Sequence, residues 1–165
     1  MKKLLKFLHY IGLSIFLGSV LMFIIIGETT GHDNLESLVL SRQIIIYAEY
    51  ILTLPGIFIL LVSGFVMTFN SYKFFKMRWL NIKHIAIILI VLNAVFFLNP
   101  YAHEMLELAK QSLVKGELLA EYSLMETKEI TAGAVNILLI LLSSVAGIWR
   151  FKSKFTNLGG LNETL

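Results

Sequence analysis

The first apolar stretch of the chain reads FLHYIGLSIFLGSVLMFIIIG over residues 7–27, and three more stretches of similar length follow it. A bilayer core about 30 Å thick is crossed by roughly 20 helical residues. The opening stretch is longer than the apolar part of a signal peptide and no small-x-small cleavage site follows it, so we expect it to be retained. The sequence predicts four membrane-spanning helices, over residues 5–27, 43–69, 79–99 and 130–150.

Charged residues are sorted to the two sides of these stretches. Ten of the fourteen Lys and Arg residues lie before the first stretch, between the second and third, or after the fourth. Ten of the eleven acids lie from Glu28 to Glu129, in or beside the connections on the other side. Because basic residues are retained in the cytoplasm during insertion, this pattern predicts a multi-pass bacterial inner-membrane protein with both termini cytoplasmic.

The composition supports an all-α integral membrane protein. The chain is 57% hydrophobic and 15% charged, and its mean hydropathy is +0.78. A soluble domain of 165 residues would have to bury that apolar surface, whereas a bilayer solvates it. Small and polar residues recur on one face of the second and fourth stretches, which is typical of helix contacts in lipid. We therefore expect one domain over residues 1–165, a four-helix bundle whose main partner is the lipid bilayer.

Two kinds of site are excluded by residue usage. The chain has no cysteine, so it contains no disulfide, no thiolate metal site, no iron–sulfur cluster and no covalently attached c-type haem. It also lacks a basic stripe with interleaved aromatic residues, so nucleic acid is not an expected partner.

The connection between the third and fourth stretches is long and charged. Asn99-Pro100 has the pattern of a helix start, with an N-capping side chain followed by proline at the first helical position. Apolar residues then recur at helical spacing up to Lys115, and Gly116 is typical of a helix end. The sequence therefore predicts a short amphipathic helix in this second outer connection.

Two of the four histidines lie at matching depths in the predicted bundle. His9 is about one turn into the first helix, and His84 is about five residues into the third, both from the cytoplasmic side. Neutral imidazoles on facing helices are the usual axial ligands of haem b. We therefore expect a single haem b, with His9 and His84 as its metal ligands. The alternative for His84, which adjoins Lys83, is a side chain that reaches the lipid headgroups.

The other two histidines lie just past the outer ends of the same helices. His32 precedes Asp33 and His103 precedes Glu104, so solvated surface positions are favoured for both. None of the four histidines has a local spacing such as His-x-x-x-His, so a zinc or copper site is only weakly indicated.

Glu49 is the acid of the predicted bundle whose burial costs the most free energy. A carboxylate inside a membrane span must be paired, protonated or exposed to a water-filled cavity. Arg42 lies two helical turns outward on the same face. The functional interpretation is a proton acceptor or a partner for a porphyrin propionate. The structural alternative is an ion pair with Arg42 or Lys128.

Several short motifs resemble a superfamily of small bacterial membrane proteins. The residues are Leu8-His9-Tyr10-Ile11-Gly12, then Arg42, Pro55 and Gly64, and finally Trp79-Leu80-Asn81-Ile82-Lys83, which is similar to a Trp-Leu-x-x-Lys motif. The superfamily includes the HemJ-type protoporphyrinogen IX oxidases, CopD-like copper-resistance domains and a related family of similar size. The resemblance implies the four-helix fold and an oxidoreductase of the protoporphyrinogen oxidase type. It further implies that His9 binds haem and that Arg42, Trp79 and Lys83 line the same site.

These observations lead to two hypotheses of different classes. The first is a haem-b-binding inner-membrane protein for electron transfer or porphyrin oxidation, with a redox partner or a porphyrin as its second partner. The alternative is a protein that binds or transports copper or another metal, or a non-enzymatic membrane scaffold. The sequence leaves open whether the chain forms a homo-oligomer.

Overall fold

The computed structural model describes residues 2–71 and 78–149, and describes side chains over residues 3–69 and 80–146. Its regular structure there is helical, in four long rods that are each long and apolar enough to cross a membrane. The all-helical class and the presence of four helices able to span a membrane are therefore confirmed. The elements are α1 (Lys2–Thr29), α2 (Leu35–Ala48), a first π-helical turn (Glu49–Thr53), α3 (Leu54–Ser71), α4 (Arg78–Asn93), a second π-helical turn (Ala94–Leu98), α5 (Asn99–Lys115) and α6 (Ala120–Trp149).

Two of the rods are nearly twice as long as a bilayer requires. The second runs without a break over residues 35–71 and the third over residues 78–115, each about 55 Å long at 1.5 Å per residue. The predicted spans 43–69 and 79–99 are therefore parts of longer helices. The helix predicted to end at Lys115 is present, and Gly116 follows it with φ 76°. It continues the third span instead of forming a separate helix in a loop.

Each long rod continues past a proline by way of a π-helical turn. Proline lacks an N–H and its ring collides with the carbonyl four residues earlier, which normally ends or kinks a helix. Here the turn closes just before the proline: the N–H of Leu54 bonds to the carbonyl of Glu49, and the N–H of Asn99 bonds to the carbonyl of Ala94. In a π-helical turn each N–H bonds to the carbonyl five residues earlier, one residue further than in an α-helix. The carbonyls before Pro55 and Pro100 are therefore shifted relative to the proline ring, so the rod is not interrupted.

At the end of the bundle that holds the start of α1 and the end of α6, which we name the proximal end, α1 packs directly on α3. A Cβ atom on Gly12 would lie 2.7 Å from the backbone nitrogen of Leu60, and one on Gly56 would lie 3.0 Å from that of Phe16. The two backbones are therefore in contact, which small residues permit in membrane helices. Ile90 of α4 packs with Phe16 and Leu60 in one buried cluster, and this cluster joins the two helix pairs.

The second helix pair is α4 with α6, and Asn93 joins its members. The side-chain amide of Asn93 donates to the carbonyl of Ala132 at 2.8 Å and to the side-chain oxygen of Asn136 at 2.9 Å. Both amide hydrogens are thus satisfied inside an apolar environment, where an unpaired polar group would be costly.

Beyond the π-helical turns, α2, α5 and the first turns of α6 form what we name the distal cap. Its buried cluster is Leu38, Met105, Ala109, Tyr122 and Met125. The cap has its own hydrophobic core because its three helices extend past the length that lipid would cover. The side of the membrane on which the cap lies stays a prediction of the charge pattern.

Candidate functional site

His9 is held against α3 by hydrogen bonds to one of its ring nitrogens. Nδ1 lies 3.2 Å from the carbonyl oxygen of Leu60 and 3.1 Å from the hydroxyl oxygen of Ser63. A carbonyl oxygen only accepts, so Nδ1 carries the hydrogen and donates it. The other ring nitrogen, Nε2, then keeps its lone pair, which is the tautomer that a metal-binding histidine requires.

A glycine lets the His9 ring approach α3 closely. A Cβ atom on Gly64 would lie 3.1 Å from Cε1 and 3.4 Å from Nδ1 of the His9 ring. Ser63, which is 3% exposed, donates its own hydroxyl hydrogen to the carbonyl of Ile59 at 2.6 Å. Its oxygen is therefore an acceptor toward Nδ1–H, and the orientation of the ring is set by two neighbours on α3.

His84 on α4 has the same arrangement within its own helix. Its Nδ1 lies 2.7 Å from the carbonyl oxygen of Leu80, so Nδ1 again donates and Nε2 is the nitrogen with the lone pair. The preceding residue, Lys83, is close enough to His9 for the two to interact electrostatically. The structure therefore brings His9, Lys83 and His84 to the same end of the bundle. No hydrogen bond joins the two histidine rings in the part of the chain that the structure describes.

Trp79, the remaining residue that the resemblance places in this site, belongs to α4. Its side chain lies outside the described side chains, so its role stays a prediction.

Arg42 lies in the distal cap, at the centre of a buried polar network. Nε of Arg42 donates to the hydroxyl of Tyr122 at 2.8 Å, and a terminal nitrogen donates to Glu129 at 2.7 Å. Glu126 lies 3.7 Å from its other terminal nitrogen and accepts from His32 at 3.2 Å if Nε2 carries the hydrogen. Arg42 is only 6% exposed, so these contacts compensate a charge that water does not reach.

The structural alternative for Glu49, an ion pair with Arg42, is not formed. Arg42 turns toward α6, while Glu49 accepts a hydrogen bond of 3.1 Å from the side-chain amide of Asn99. The alternative pair of Glu49 with Lys128 is not formed either among the residues that the structure describes. Arg42 precedes Leu60 by eighteen residues of continuous helix, about 27 Å, so it does not line the site around His9. Glu49 is about 16 Å along the same rod from Leu60.

The distal network includes residues that the sequence analysis did not single out. Tyr122, Glu126 and Glu129 lay in a region assigned to a connection, but they follow helical spacing and lie on one face of α6. That spacing was the available signal. The choice of Arg42 as their partner depends on tertiary packing across more than eighty positions of the chain.

The outer histidines do not form a pair. His32 contacts Glu126, and His103 lies 3.5 Å from the hydroxyl of Tyr50. Over the described residues, no group of three or more His, Cys, Asp or Glu side chains is arranged to hold a metal ion.

Comparison with known proteins gives a family but no described function. A family model described as "Predicted integral membrane protein (DUF2269)" matches residues 3–148, which include most of all four rods. The comparisons with curated proteins and with solved structures gave no match.

Proposed function

The chain belongs to this family of predicted integral membrane proteins, and we propose that it binds one haem b at the proximal end, where His9 would hold the haem iron. His84 of α4 would be the second residue to hold it, and Lys83 would pair with a propionate carboxylate. The protein acts in electron transfer or in porphyrin oxidation within the membrane.

The observation behind the proposal is the tautomer that the fold imposes on His9. The Leu60 carbonyl takes the Nδ1 hydrogen at 3.2 Å, so Nε2 is the nitrogen available to iron. The Leu80 carbonyl likewise takes the Nδ1 hydrogen of His84 at 2.7 Å. In a metal-binding imidazole, the ring nitrogen that does not bind the metal usually donates a hydrogen bond, often to a backbone carbonyl. This bond fixes the orientation of the ring and raises its basicity.

The residues around His9 suit a large planar cofactor with acidic groups. Gly64 and Ser63 hold the ring close to α3, and the buried cluster of Phe16, Leu60 and Ile90 provides apolar contact next to it. The positive charge of Lys83 near His9 complements a carboxylate. When bound, haem b supplies one-electron redox chemistry, which the protein tunes through the ligands and their hydrogen bonds.

The resemblance of residues 8–12 and 79–83 to the HemJ-type proteins favours a porphyrin as the substrate. The same tautomer would suit copper or another metal, but no group of three or more His, Cys, Asp or Glu side chains is arranged for one over the described residues. A scaffold without a cofactor has no comparable observation in its favour. A redox partner is part of the electron-transfer version of the proposal.

A reduced-minus-oxidised visible spectrum of the detergent-purified protein tests the proposal. We expect a b-type spectrum at about one haem per chain, lost in His9→Ala and in His84→Ala. The matched control is His103→Ala, which removes an exposed histidine of the distal cap and should keep the spectrum. A wild-type protein that stays colourless after reconstitution with haem would overturn the proposal.

A second variant tests whether haem binding depends on the position of the His9 ring against α3. Gly64→Ala places a Cβ atom 3.1 Å from the His9 ring, so the ring must move away from α3. We expect weaker haem retention than in Gly18→Ala, where the added atom meets open space. Equal retention in the two variants would show that His9 does not need its contact with α3 to bind haem.

A further inference from the structure

A groove runs along the seam between α6 and the rod formed by α4 and α5. It consists of two adjoining cavities of about 340 and 590 Å³. Asn93, Phe97 and Val135 line both cavities, so the two are parts of one continuous groove. The groove lies on helices long and apolar enough to cross the membrane.

The groove is lined mainly by apolar surface, and its polar side chains other than Asn93 lie in the part toward the distal cap, which we name the polar part. The part toward the distal cap is lined by side chains that include Tyr101, Thr127, Lys128 and Thr131. The part toward the proximal end is lined, apart from Asn93, by apolar side chains, which are Leu89, Leu92, Phe96, Phe97, Val135 and Leu139. Such a change in polarity matches an amphiphile with a polar head and an extended apolar chain.

The one polar residue of the apolar part has partners for both of its donor hydrogens. Asn93 uses its amide hydrogens on Ala132 and Asn136. An apolar chain that covers Asn93 therefore leaves no unpaired donor beneath it.

The polar part offers a positive charge. Lys128 is exposed, and no described residue forms an ion pair with it. The two nearest acids along α6 are engaged elsewhere: Glu129 with Arg42 at 2.7 Å, and Glu126 with His32 at 3.2 Å. The ammonium group of Lys128 is thus the charge that a ligand at this end would meet.

The two threonine hydroxyl groups of the polar part already donate their hydrogens to carbonyls of α6. Thr127 donates to the carbonyl of Ser123 at 3.0 Å, and Thr131 donates to the carbonyl of Thr127 at 2.8 Å. This leaves the Lys128 ammonium and the Tyr101 hydroxyl as the donors for an anionic head.

We infer that this groove binds one anionic phospholipid, with its phosphate at Lys128 and Tyr101 and one acyl chain along the apolar part. A phosphate diester is the anion that the bilayer itself supplies at headgroup depth, and the ammonium group of Lys128 beside an apolar groove complements both its charge and its acyl chain. The headgroup part of this site lies at the opposite end of the bundle from His9, and the inference does not depend on haem binding.

The experiment measures binding of added phosphatidylglycerol and phosphatidylethanolamine to the detergent-purified full chain by native mass spectrometry. We expect tighter binding of phosphatidylglycerol to the wild type. Lys128→Ala should weaken that binding about fivefold, the effect of one basic side chain near an anionic headgroup. Lys115→Ala, which removes an exposed lysine outside the groove, should match the wild type.

A second variant tests the acyl-chain part separately from the charge. Val135→Trp fills the segment that both cavities share, so it should abolish binding of both lipids. Leu138→Trp adds the same side chain at an exposed position of α6 outside the groove and should not. Equal binding of the two lipids by the wild type, unchanged phosphatidylglycerol binding by Lys128→Ala, or unchanged binding by Val135→Trp would each overturn the inference.

Discussion

The side-chain amide of Asn99 donates a hydrogen bond of 3.1 Å to the carboxylate of Glu49, and this bond links the two π-helical turns of the protein. Glu49 opens the first turn, and Asn99 directly follows the second. Both turns precede a proline by two residues, so the two long rods have the same irregularity at the same level. The bond therefore ties the rods together where each passes from the bundle into the distal cap.

Replacing Asn99 by Leu should destabilise the protein by about 1–3 kcal/mol, because Glu49 loses its donor in a partly buried position. The measurement is thermal unfolding in detergent, followed by far-ultraviolet circular dichroism. Glu49→Gln is the matched control, since an amide oxygen can still accept from Asn99. Unfolding of Asn99→Leu at the wild-type temperature would show that the Glu49 carboxylate is solvated without Asn99.

Replacing Arg42 by Met should destabilise the protein more strongly, by about 3–5 kcal/mol, the range for removing one member of a buried ion pair. The change leaves Glu129 and Tyr122 without their shared partner inside the distal cap. Chemical denaturation followed by tyrosine and tryptophan fluorescence would measure the loss.

The control for Arg42 is the pair of Lys110 with Glu107, which has the same 2.7 Å separation but is much more exposed. Lys110→Met should change the free energy of unfolding by less than about 1 kcal/mol. Similar losses in the two variants would mean that water reaches Arg42 in the folded protein.

Replacing Gly12 by Ala should separate α1 from α3. The added Cβ atom would lie 2.7 Å from the backbone nitrogen of Leu60, and backbone cannot yield as a flexible side chain can. We expect a loss of about 1–3 kcal/mol, the usual result of overpacking, measured by thermal unfolding. Gly18→Ala on the same helix meets open space and should unfold at or above the wild-type temperature. The reverse ranking would contradict the close crossing of the two helices.

The four spans could be predicted because the bilayer imposes one requirement on every residue of a span, and hydropathy reports it directly. The end of α5 at Gly116 was also accessible, since a left-handed residue after a helix favours glycine. The continuity of the rods was not. Pro100 after Asn99 has the pattern of a helix start, and only the π-helical turn before it keeps the chain helical.

The sequence indicated some residues of the candidate site but not their hydrogen-bond partners, and the reason is physical. His9 was evident because an imidazole inside an apolar stretch needs a partner. Its partner is a backbone carbonyl, that of Leu60, and no residue type signals a backbone acceptor. Arg42 was considered as one possible partner for Glu49 on its own helix, and the resemblance placed it in the haem site, whereas it pairs with Glu129, which is 87 positions away. One sequence does not specify such a long-range pairing.

The charge pattern predicts that the distal cap faces the periplasm, and the cysteine-free chain allows a direct test. A single cysteine can be placed at Val114, which is 89% exposed in the cap, or added after Leu165 at the C-terminus. In intact cells a membrane-impermeant maleimide should label Val114→Cys and leave the C-terminal cysteine unlabelled until the membrane is permeabilised. The opposite labelling would show that the topology is inverted. The basic residues would then lie outside the cytoplasm, against the charge rule. The inverted topology would also place His9, and with it the proposed haem, at the periplasmic surface.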